Sequence, residues 1–191
     1  MIKDFSYFEQ REKFIDVWQP EEEMIVLGRF SDEAIINENA IKDGVKIFRR
    51  VGGGGTVFLD ETSVIVDIGI KEKQLKPVNT YFDFFNNLIV EALKKQNIPA
   101  VSGHDFYDIK IDDRKIGGVS LAIRKDMVLY GVSLIQKNIL ISKIADYLNH
   151  PSKEPKYRKK RNHSEFLSSL DNYTDFSINK LKQDLYESVL K

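Results

Sequence analysis

The sequence contains no cysteine in its 191 residues. Disulfide bonds, thiolate metal sites and a cysteine nucleophile are therefore excluded for this chain. It also lacks an uninterrupted apolar run of about 18 residues, which a membrane-spanning helix would need. Residues 1–15 alternate charged with aromatic side chains and offer no apolar segment of the kind found in secretion signals. We therefore expect a soluble, cytoplasmic protein.

The chain has no net charge, since 29 lysines and arginines balance 29 aspartates and glutamates. Because a global basic field is absent, we expect neither nucleic acid nor a membrane as its principal partner. A length of 191 residues with 42% hydrophobic composition suffices for one core, since domains commonly contain about 100–200 residues. A single domain over residues 1–191 is the resulting prediction, and any electropositive site must be local.

The hydrophobic pattern alternates between strand-like and helix-like periods. Runs rich in β-branched residues predict strands at Met24–Gly28, Val45–Phe48, Thr56–Leu59, Ser63–Ile70, Tyr107–Ile111, Arg114–Ala122 and Met127–Leu134. Helical spacing and capping signals predict one helix that starts at Ser31 and others at Val78–Gln96, Leu140–Leu148 and Ser177–Leu190. Short turns between the last three strands favour antiparallel pairing. The predicted fold class is α/β of the α+β type, with a mixed, mostly antiparallel sheet flanked by helices.

Four consecutive glycines, Gly52 to Gly55, follow Arg49 and Arg50 between two predicted strands. Ordering such a run costs backbone entropy, so it predicts positive φ angles or a close approach of backbone to a ligand. The amides and the two guanidinium groups could bind a carboxylate or a phosphate. The run is not a P-loop, because no Gly-Lys-Ser/Thr follows it, and it leads into a strand where a dinucleotide fingerprint would lead into a helix. An ordinary turn remains the alternative.

A lysine and two glycines follow the acidic turn Asp112-Asp113. Lys115 stands at the end of the turn, and Gly117 and Gly118 lie inside an apolar strand, so a substrate could lie against bare backbone beside an ammonium group. Taken alone, Lys115 fits an ordinary surface lysine equally well.

Residues 151–163 form a basic segment, with six lysines and arginines against the single acid Glu154. Such a charge run is typical of a solvated loop, and it gains a binding role only if an anion or an acidic partner must lie nearby.

Three of these stretches together resemble the lipoate-protein ligases of the biotin/lipoate protein ligase superfamily. Arg49 to Phe58 is similar to their "RRxxGGGAVxHD" stretch, Asp108 to Gly118 to "NDIxVDGRKISG", and Leu129 to Leu134 to the "HGTLL" strand. Pro155 to His163 is similar to a "PxYRxxRxH" segment of some members. The chain departs from the pattern at Leu59, where many members have His, and at Tyr107, where the Asn of the "ND" pair usually stands.

The resemblance implies the biotinyl/lipoyl protein ligase catalytic-domain fold and an ATP- and Mg-dependent ligase. Such an enzyme forms or uses lipoyl-AMP and passes the lipoyl, or octanoyl, group to a lysine of an acceptor domain. The acceptor would be the glycine cleavage H protein or the lipoyl domain of a 2-oxoacid dehydrogenase E2. Lys115 matches the catalytic lysine, and Asp108 is a candidate Mg²⁺ ligand. The implied substrate- and nucleotide-binding residues are Arg49, Arg50, Gly52, Gly53, Gly54, Gly55, Thr56, Val57, Asp108, Gly117, Gly118 and Ser120.

The resemblance also sets the alternatives. The chain ends soon after the catalytic region, so we expect residues 1–191 to be one catalytic domain without an accessory C-terminal domain, which a separate partner protein could supply. An acyltransferase of the same fold would need a mechanism without cysteine. A biotin ligase would be expected to show a "GRGRxxxxW" loop, which is absent. A non-catalytic or partner-dependent lipoyl-binding module is the third alternative.

Overall fold

A six-stranded antiparallel sheet carries most of the strands in the computed structural model, which describes residues 4–8 and 11–190. In spatial order its strands are β1 (Lys13–Trp18), β5 (Ser63–Lys71), β9 (Met127–Ile135), β8 (Arg114–Arg124), β7 (Ile109–Ile111) and β6 (Val101–Ser102). Two tight turns join β7, β8 and β9, and each places one residue in the left-handed region, Asp112 at φ 52° and Lys125 at φ 56°. The predicted antiparallel hairpins are therefore confirmed.

A second, three-stranded sheet lies against the first. Its strands are β3 (Lys46–Arg49), β2 (Met24–Leu27) and β4 (Val57–Leu59), in that spatial order. β2 pairs in parallel with β3 and antiparallel with β4. The predicted mixed, mostly antiparallel arrangement is thus confirmed, but it is divided between two sheets, and the parallel pair belongs to the smaller one.

Two long helices cover one face of the large sheet. They are α3 (Val78–Lys94) and α6 (Ile178–Leu190). In α3, Phe85, Ile89 and Leu93 recur every fourth residue and are fully buried against the sheet, which is the period expected for one helical face. Truncating such a side chain to alanine typically costs about 2–5 kcal/mol. Both helices were predicted from the sequence, and both are confirmed.

The opposite face of the large sheet meets the small sheet. Successive side chains of β5 point to opposite faces of the sheet. Val64 and Val66 therefore point towards the two long helices, whereas Ile65 packs against Val26 of the small sheet. Three further helices complete this side, namely α2 (Glu38–Lys42), α4 (Ile139–Tyr147) and α5 (His163–Phe166), while the short α1 (Phe5–Phe8) precedes β1. Among the described residues no helix is long and apolar enough to cross a membrane.

The predicted helix at Ser31 is wrong. Asp32, not Ser31, caps the segment by accepting a hydrogen bond from the Ala34 amide at 3.0 Å, and it begins only a 3₁₀ turn at Glu33–Ile35. Asn37 then caps α2 separately. Two strong capping residues five positions apart divide the segment into two short pieces.

Candidate functional site

A cavity of about 630 Å³ opens between the two sheets, a size within the range of small-molecule sites. Ten of the predicted site residues line it: Arg50, Gly54, Gly55, Thr56, Val57, Asp108, Lys115, Gly117, Gly118 and Ser120. Arg49, Gly52 and Gly53 lie outside its lining. The glycine run and the lysine strand, about sixty residues apart in the sequence, therefore face the same space.

The two arginines before the glycine run hold the protein backbone. Arg50 Nη2 donates to the carbonyls of Gly53 at 2.9 Å and Gly55 at 2.6 Å. Arg49 donates to the Gly28 carbonyl at 3.0 Å and pairs with Glu33 at 3.1 Å. Burial lowers the pKa of Arg50 to about 10, so it stays charged at neutral pH. These donors fix the shape of the loop, while Arg50 Nε is buried without a partner in the described chain, so direct contact of Arg50 with a ligand stays a prediction.

The glycine run itself presents unused donors to the cavity. Gly53 donates its amide to the Leu121 carbonyl at 3.0 Å, but within residues 4–8 and 11–190 the amides of Gly54 and Gly55 have no acceptor. Gly54 alone of the four has a positive φ, at 93°. The hydroxyl of Thr56 is also buried without a partner in the described chain. Gly54 and Gly55 are exposed, so their amides are open to solvent or to a ligand, whereas a buried hydroxyl is normally hydrogen-bonded and that of Thr56 marks a place for a ligand oxygen.

Lys115 lies beside a buried carboxylate. Its Nζ is 2.7 Å from Asp108 Oδ1, and the Asp108 side chain is only 5% exposed. The Tyr157 hydroxyl donates to the other oxygen, Oδ2, at 2.8 Å. A Cβ added to Gly118 would lie 3.2 Å from Lys115 Nζ. The absence of a side chain at Gly118 therefore leaves the space that the Lys115 side chain occupies. Burial, and then the charge of Asp108, raises the pKa of Tyr157, which keeps its hydroxyl a donor.

Asp108 does not fit the role of a Mg²⁺ ligand in this arrangement. Both of its oxygens accept from protein donors, and one of these is an ammonium group. The described residues contain no cluster of three or more histidines, aspartates or glutamates that could hold a metal ion. Mg²⁺ binds through few carboxylates and largely through substrate phosphates in nucleotide sites. Asp108 instead orients Lys115.

The basic segment is more ordered than a solvated loop. Its 3₁₀ turn, Lys156–Arg158, buries Arg158, while Arg161 pairs with Asp113 at 2.9 Å. All four lysines of the segment, Lys153, Lys156, Lys159 and Lys160, are exposed, and Lys153 also lines the cavity. The segment thus divides into arginines that hold the wall of the cavity and lysines that face solvent.

His163, which begins α5, also lines the cavity. Burial first, and the charges of Arg158, His150 and Lys115 after it, lower the pKa of His163 to about 4. The imidazole is therefore neutral at physiological pH. Its surroundings are electropositive, and sequence reasoning had not placed it in the site.

We expect His163 to shape the acid stability of the protein. Between pH 6.5 and about 4 the unfolded chain protonates this histidine while the folded chain does not, so the unfolded state binds more protons and stability falls as pH falls. At about 1.4 kcal/mol per pKa unit this change would correspond to roughly 3.4 kcal/mol, and solvent screening of the half-buried ring should reduce the contribution to on the order of 2 kcal/mol. In urea unfolding, the free energy of unfolding of His163→Gln should fall less steeply between pH 6.5 and about 4 than that of the wild type. Identical slopes in this window would contradict the pKa assignment.

An apolar region forms the other end of the cavity. Gly118 pairs with Ser133, Ser133 with Ile65, and Ile65 with Trp18, so the cavity floor crosses four strands. Strands lie about 4.8 Å apart, which places Trp18 roughly 14 Å from Gly118. Leu59, where the family pattern has His, is buried in this apolar wall beside Ile65.

Two polar groups lie within the apolar end. The Trp18 indole donates to Asp67 Oδ2 at 2.8 Å, and both side chains line the cavity. Tyr107, the other departure from the family pattern, lies outside the lining and stacks on Phe82 at 4.3 Å.

The chain matches a known family along nearly all of its length. Residues 6–190 match the lipoyl protein ligase A/B catalytic domain, so the chain belongs to that family. It is 31% identical over 139 residues to the "Probable lipoate-protein ligase A" of Mycoplasma pneumoniae, with 72% of this chain and 40% of that protein covered. It is 25% identical over 169 residues to the "Inactive lipoate--protein ligase 2" of Plasmodium falciparum, covering 71% of this chain and 44% of that protein. The chain therefore spans less than half the length of these relatives.

Solved structures share the fold. Lipoate-protein ligase A bound with ATP gives a TM-score of 0.78 at 18% identity, over 93% of this chain and 71% of that one. Protein Ta0514 of T. acidophilum with bound lipoic acid gives 0.79 at 17% identity, over 96% and 76%. The bi-partite lipoate protein ligase of an archaeal lipoylation system in Thermoplasma acidophilum, which includes an E2 lipoyl domain, gives 0.74 at 18% identity, over 93% and 70%. The ligase fold expected from the sequence is confirmed.

Proposed function

We propose that the chain is the catalytic domain of a lipoate-protein ligase, and that its cavity holds a lipoyl or octanoyl adenylate. The observation that carries this proposal is the division of one cavity into two chemical environments. Its apolar end suits an acyl chain, and its other end presents Lys115 and the free donors of the glycine run. The acyl-phosphate would lie between them.

Lys115 is the proposed catalytic residue. Its ammonium would contact the carboxylate of the acid and then the carbonyl and phosphate oxygens of the adenylate. Negative charge develops on these oxygens when a lysine amine of the acceptor attacks the acyl carbon and AMP leaves. A donor that is already positioned there stabilises the transition state without reorganisation. Asp108 and Tyr157 hold the ammonium in place.

The glycine run would bind the adenylate through its backbone. The amides of Gly54 and Gly55 and the hydroxyl of Thr56 are donors of this loop that find no acceptor in the described residues. Successive amides of this kind form a concave site for anions. Arg50, which binds the carbonyls of Gly53 and Gly55, would hold this loop in a fixed shape.

The acceptor and any accessory domain belong to the proposal as well. We propose a lipoyl acceptor domain as the partner, either an E2 lipoyl domain or a glycine cleavage H protein. The fold is shared with a bi-partite lipoate protein ligase of Thermoplasma acidophilum, and we further propose that complete adenylation requires a second, accessory domain.

A non-catalytic lipoyl-binding module is the second candidate. The Plasmodium relative is named inactive, and in this chain Leu59 makes the cavity wall apolar where the family pattern has a histidine. Such a module would bind lipoic acid or its adenylate and transfer nothing.

The two candidates differ in adenylate formation. We would incubate the purified chain with ATP, Mg²⁺ and either lipoate, octanoate or biotin, and measure the acyl-AMP by mass spectrometry. The proposal expects lipoyl-AMP or octanoyl-AMP, or, if an accessory domain is required, consumption of supplied lipoyl-AMP in the presence of an acceptor domain. Formation of biotinyl-AMP alone, or binding without formation or consumption, would contradict it.

The exposed lysines of the basic segment should steer the acceptor. Replacing Lys156, Lys159 and Lys160 by Gln should lower the association rate with an acidic acceptor domain by about threefold to tenfold at low salt. The difference should vanish near 1 M salt, where the Debye length is about 3 Å. Stopped-flow fluorescence would measure the rate.

The matched control replaces three exposed lysines outside the segment, Lys73, Lys180 and Lys182. It removes the same total charge, so a rate lowered equally by both triple variants would assign the effect to net charge. A triple variant of the segment that loses AMP affinity and keeps its association rate would instead place these lysines in the nucleotide site.

A further inference from the structure

Arg158 is a buried cation that the proposed mechanism leaves unused. Its side chain is 4% exposed and lines the cavity. Its Nε donates to the Arg161 carbonyl at 3.0 Å. Its Nη2 is shielded from solvent, and no acceptor for it lies in the portion of the chain that the structure describes. Buried guanidinium donors rarely stay without a partner, so this nitrogen indicates a ligand oxygen.

The charge of Arg158 is also only partly balanced. Its nearest carboxylate, Glu154 Oε2, lies 3.4 Å from Nε and is shared with His150 at 3.2 Å. The other oxygen of Glu154 accepts from the Lys160 amide at 2.9 Å. Glu154 Oε2 makes no hydrogen bond within the described residues, so this carboxylate lies near Arg158 and His150 without a directed bond to either. The position of His163 in the same wall agrees with a partly balanced charge, because Arg158 is the largest electrostatic cause of its lowered pKa.

The backbone fixes Arg158 in this position. Its amide donates to the Pro155 carbonyl at 2.9 Å, and its own carbonyl accepts from the amide and the Nε of Arg161, both at 3.1 Å. The guanidinium stacks over the Phe166 ring, 4.7 Å from its centroid. A guanidinium that is held in place loses little conformational freedom when it binds an oxyanion.

We propose that Arg158 binds the phosphate group of the adenylate, from the cavity wall formed by the basic segment. This inference rests on the proposed function, because it assigns a residue to the nucleotide part of that site. Lys115 would then contact the acyl-phosphate near Asp108, and Arg158 would supply a second cation to the same phosphate. The division of the basic segment follows: its buried arginine serves the nucleotide, and its exposed lysines serve the partner.

The test isolates the contribution of the phosphate. Isothermal titration with AMP and with adenosine gives the dissociation constant of adenosine divided by that of AMP, a ratio that the phosphate alone determines. In the wild type AMP should bind more tightly, and Arg158→Gln should reduce this ratio by at least roughly tenfold, as expected for a lost charge-assisted hydrogen bond. Lys156→Gln removes one exposed charge from the same turn and should leave the ratio unchanged.

A second measurement uses the unmodified protein, in case Arg158→Gln fails to fold. The imidazole pKa of His163, followed by NMR, should rise when AMP binds, because the phosphate offsets the positive charges around it. Adenosine should leave it unchanged. Lipoic acid alone should raise it less than AMP does, and an equal or larger rise would assign Arg158 to the carboxylate and overturn the proposal.

The outcomes separate this inference from the proposed function. An unchanged adenosine-to-AMP ratio in folded Arg158→Gln, or an unchanged His163 pKa at saturating AMP, overturns the inference even if lipoyl-AMP is formed. If the wild type neither binds AMP nor forms or consumes an acyl adenylate, the inference and the proposed function both fail.

Discussion

Replacing Lys115 by Met should slow acyl transfer from lipoyl-AMP to an acceptor domain by at least tenfold. A hydrogen bond to a charged group contributes about 1.5–3 kcal/mol, which corresponds to roughly tenfold to 150-fold in rate. The variant should also lose stability, because the Asp108 side chain, which is 5% exposed, would keep only the Tyr157 hydroxyl as a partner among the residues that the structure describes. An unpaired buried charge costs about 3–5 kcal/mol, and the remaining hydrogen bond should hold the loss near the lower end.

A double variant separates catalysis from stability. In Lys115→Met/Asp108→Asn the buried side chain is neutral, so urea unfolding should recover most of the lost stability, while single-turnover transfer should remain slow. Transfer near the wild-type rate in the single variant would remove Lys115 from the proposed site. Recovery of transfer together with stability would assign the lysine a structural role only.

Valine at Gly55 should weaken ligand binding with little effect on folding. A Cβ at this position meets no atom within 4 Å, and the residue lines the cavity without a positive φ. The added side chain would occupy space beside the unused amides. We expect affinity for AMP or an acyl adenylate to fall by at least about tenfold, measured by calorimetry alongside thermal unfolding.

Two other glycines of the run provide matched controls. Gly54→Val should mainly unfold the protein, because Gly54 has φ 93° and an added Cβ would lie 2.6 Å from the Val119 carbonyl oxygen. Gly53→Val should keep its affinity, since Gly53 lies outside the cavity and its amide already donates to Leu121. Equal ligand affinity in Gly55→Val and Gly53→Val would identify the run as an ordinary turn.

The sequence predicted those parts of the fold that depend on local periodicity. The spacing of Phe85, Ile89 and Leu93 identifies α3, because a helix repeats every 3.6 residues. The turns at Asp112 and Lys125 identify the antiparallel strands, because short connections permit no other pairing. The Ser31 helix failed because competing caps at Asp32 and Asn37 carry similar local signals.

The site could be predicted only in part, because its contacts join residues far apart in the chain. The glycine run and Lys115 were identified from motifs. Tyr157 lies 49 positions from Asp108, which it contacts, and no local pattern reports such a pair. Arg50 was expected to bind a ligand; it lines the cavity, and its Nη2 binds carbonyls three and five residues ahead. Which way a guanidinium turns depends on packing.

Transfer from pre-formed lipoyl-AMP tests the central claim most directly. The purified chain would be mixed with lipoyl-AMP and an E2 lipoyl domain, and the intact mass of the acceptor would be followed over time by mass spectrometry, with Lys115→Met/Asp108→Asn as the control. We expect the wild type to add one lipoyl group to the acceptor and the double variant to be at least tenfold slower. A wild type that leaves the acceptor unmodified, or a double variant that modifies it equally fast, would contradict the account.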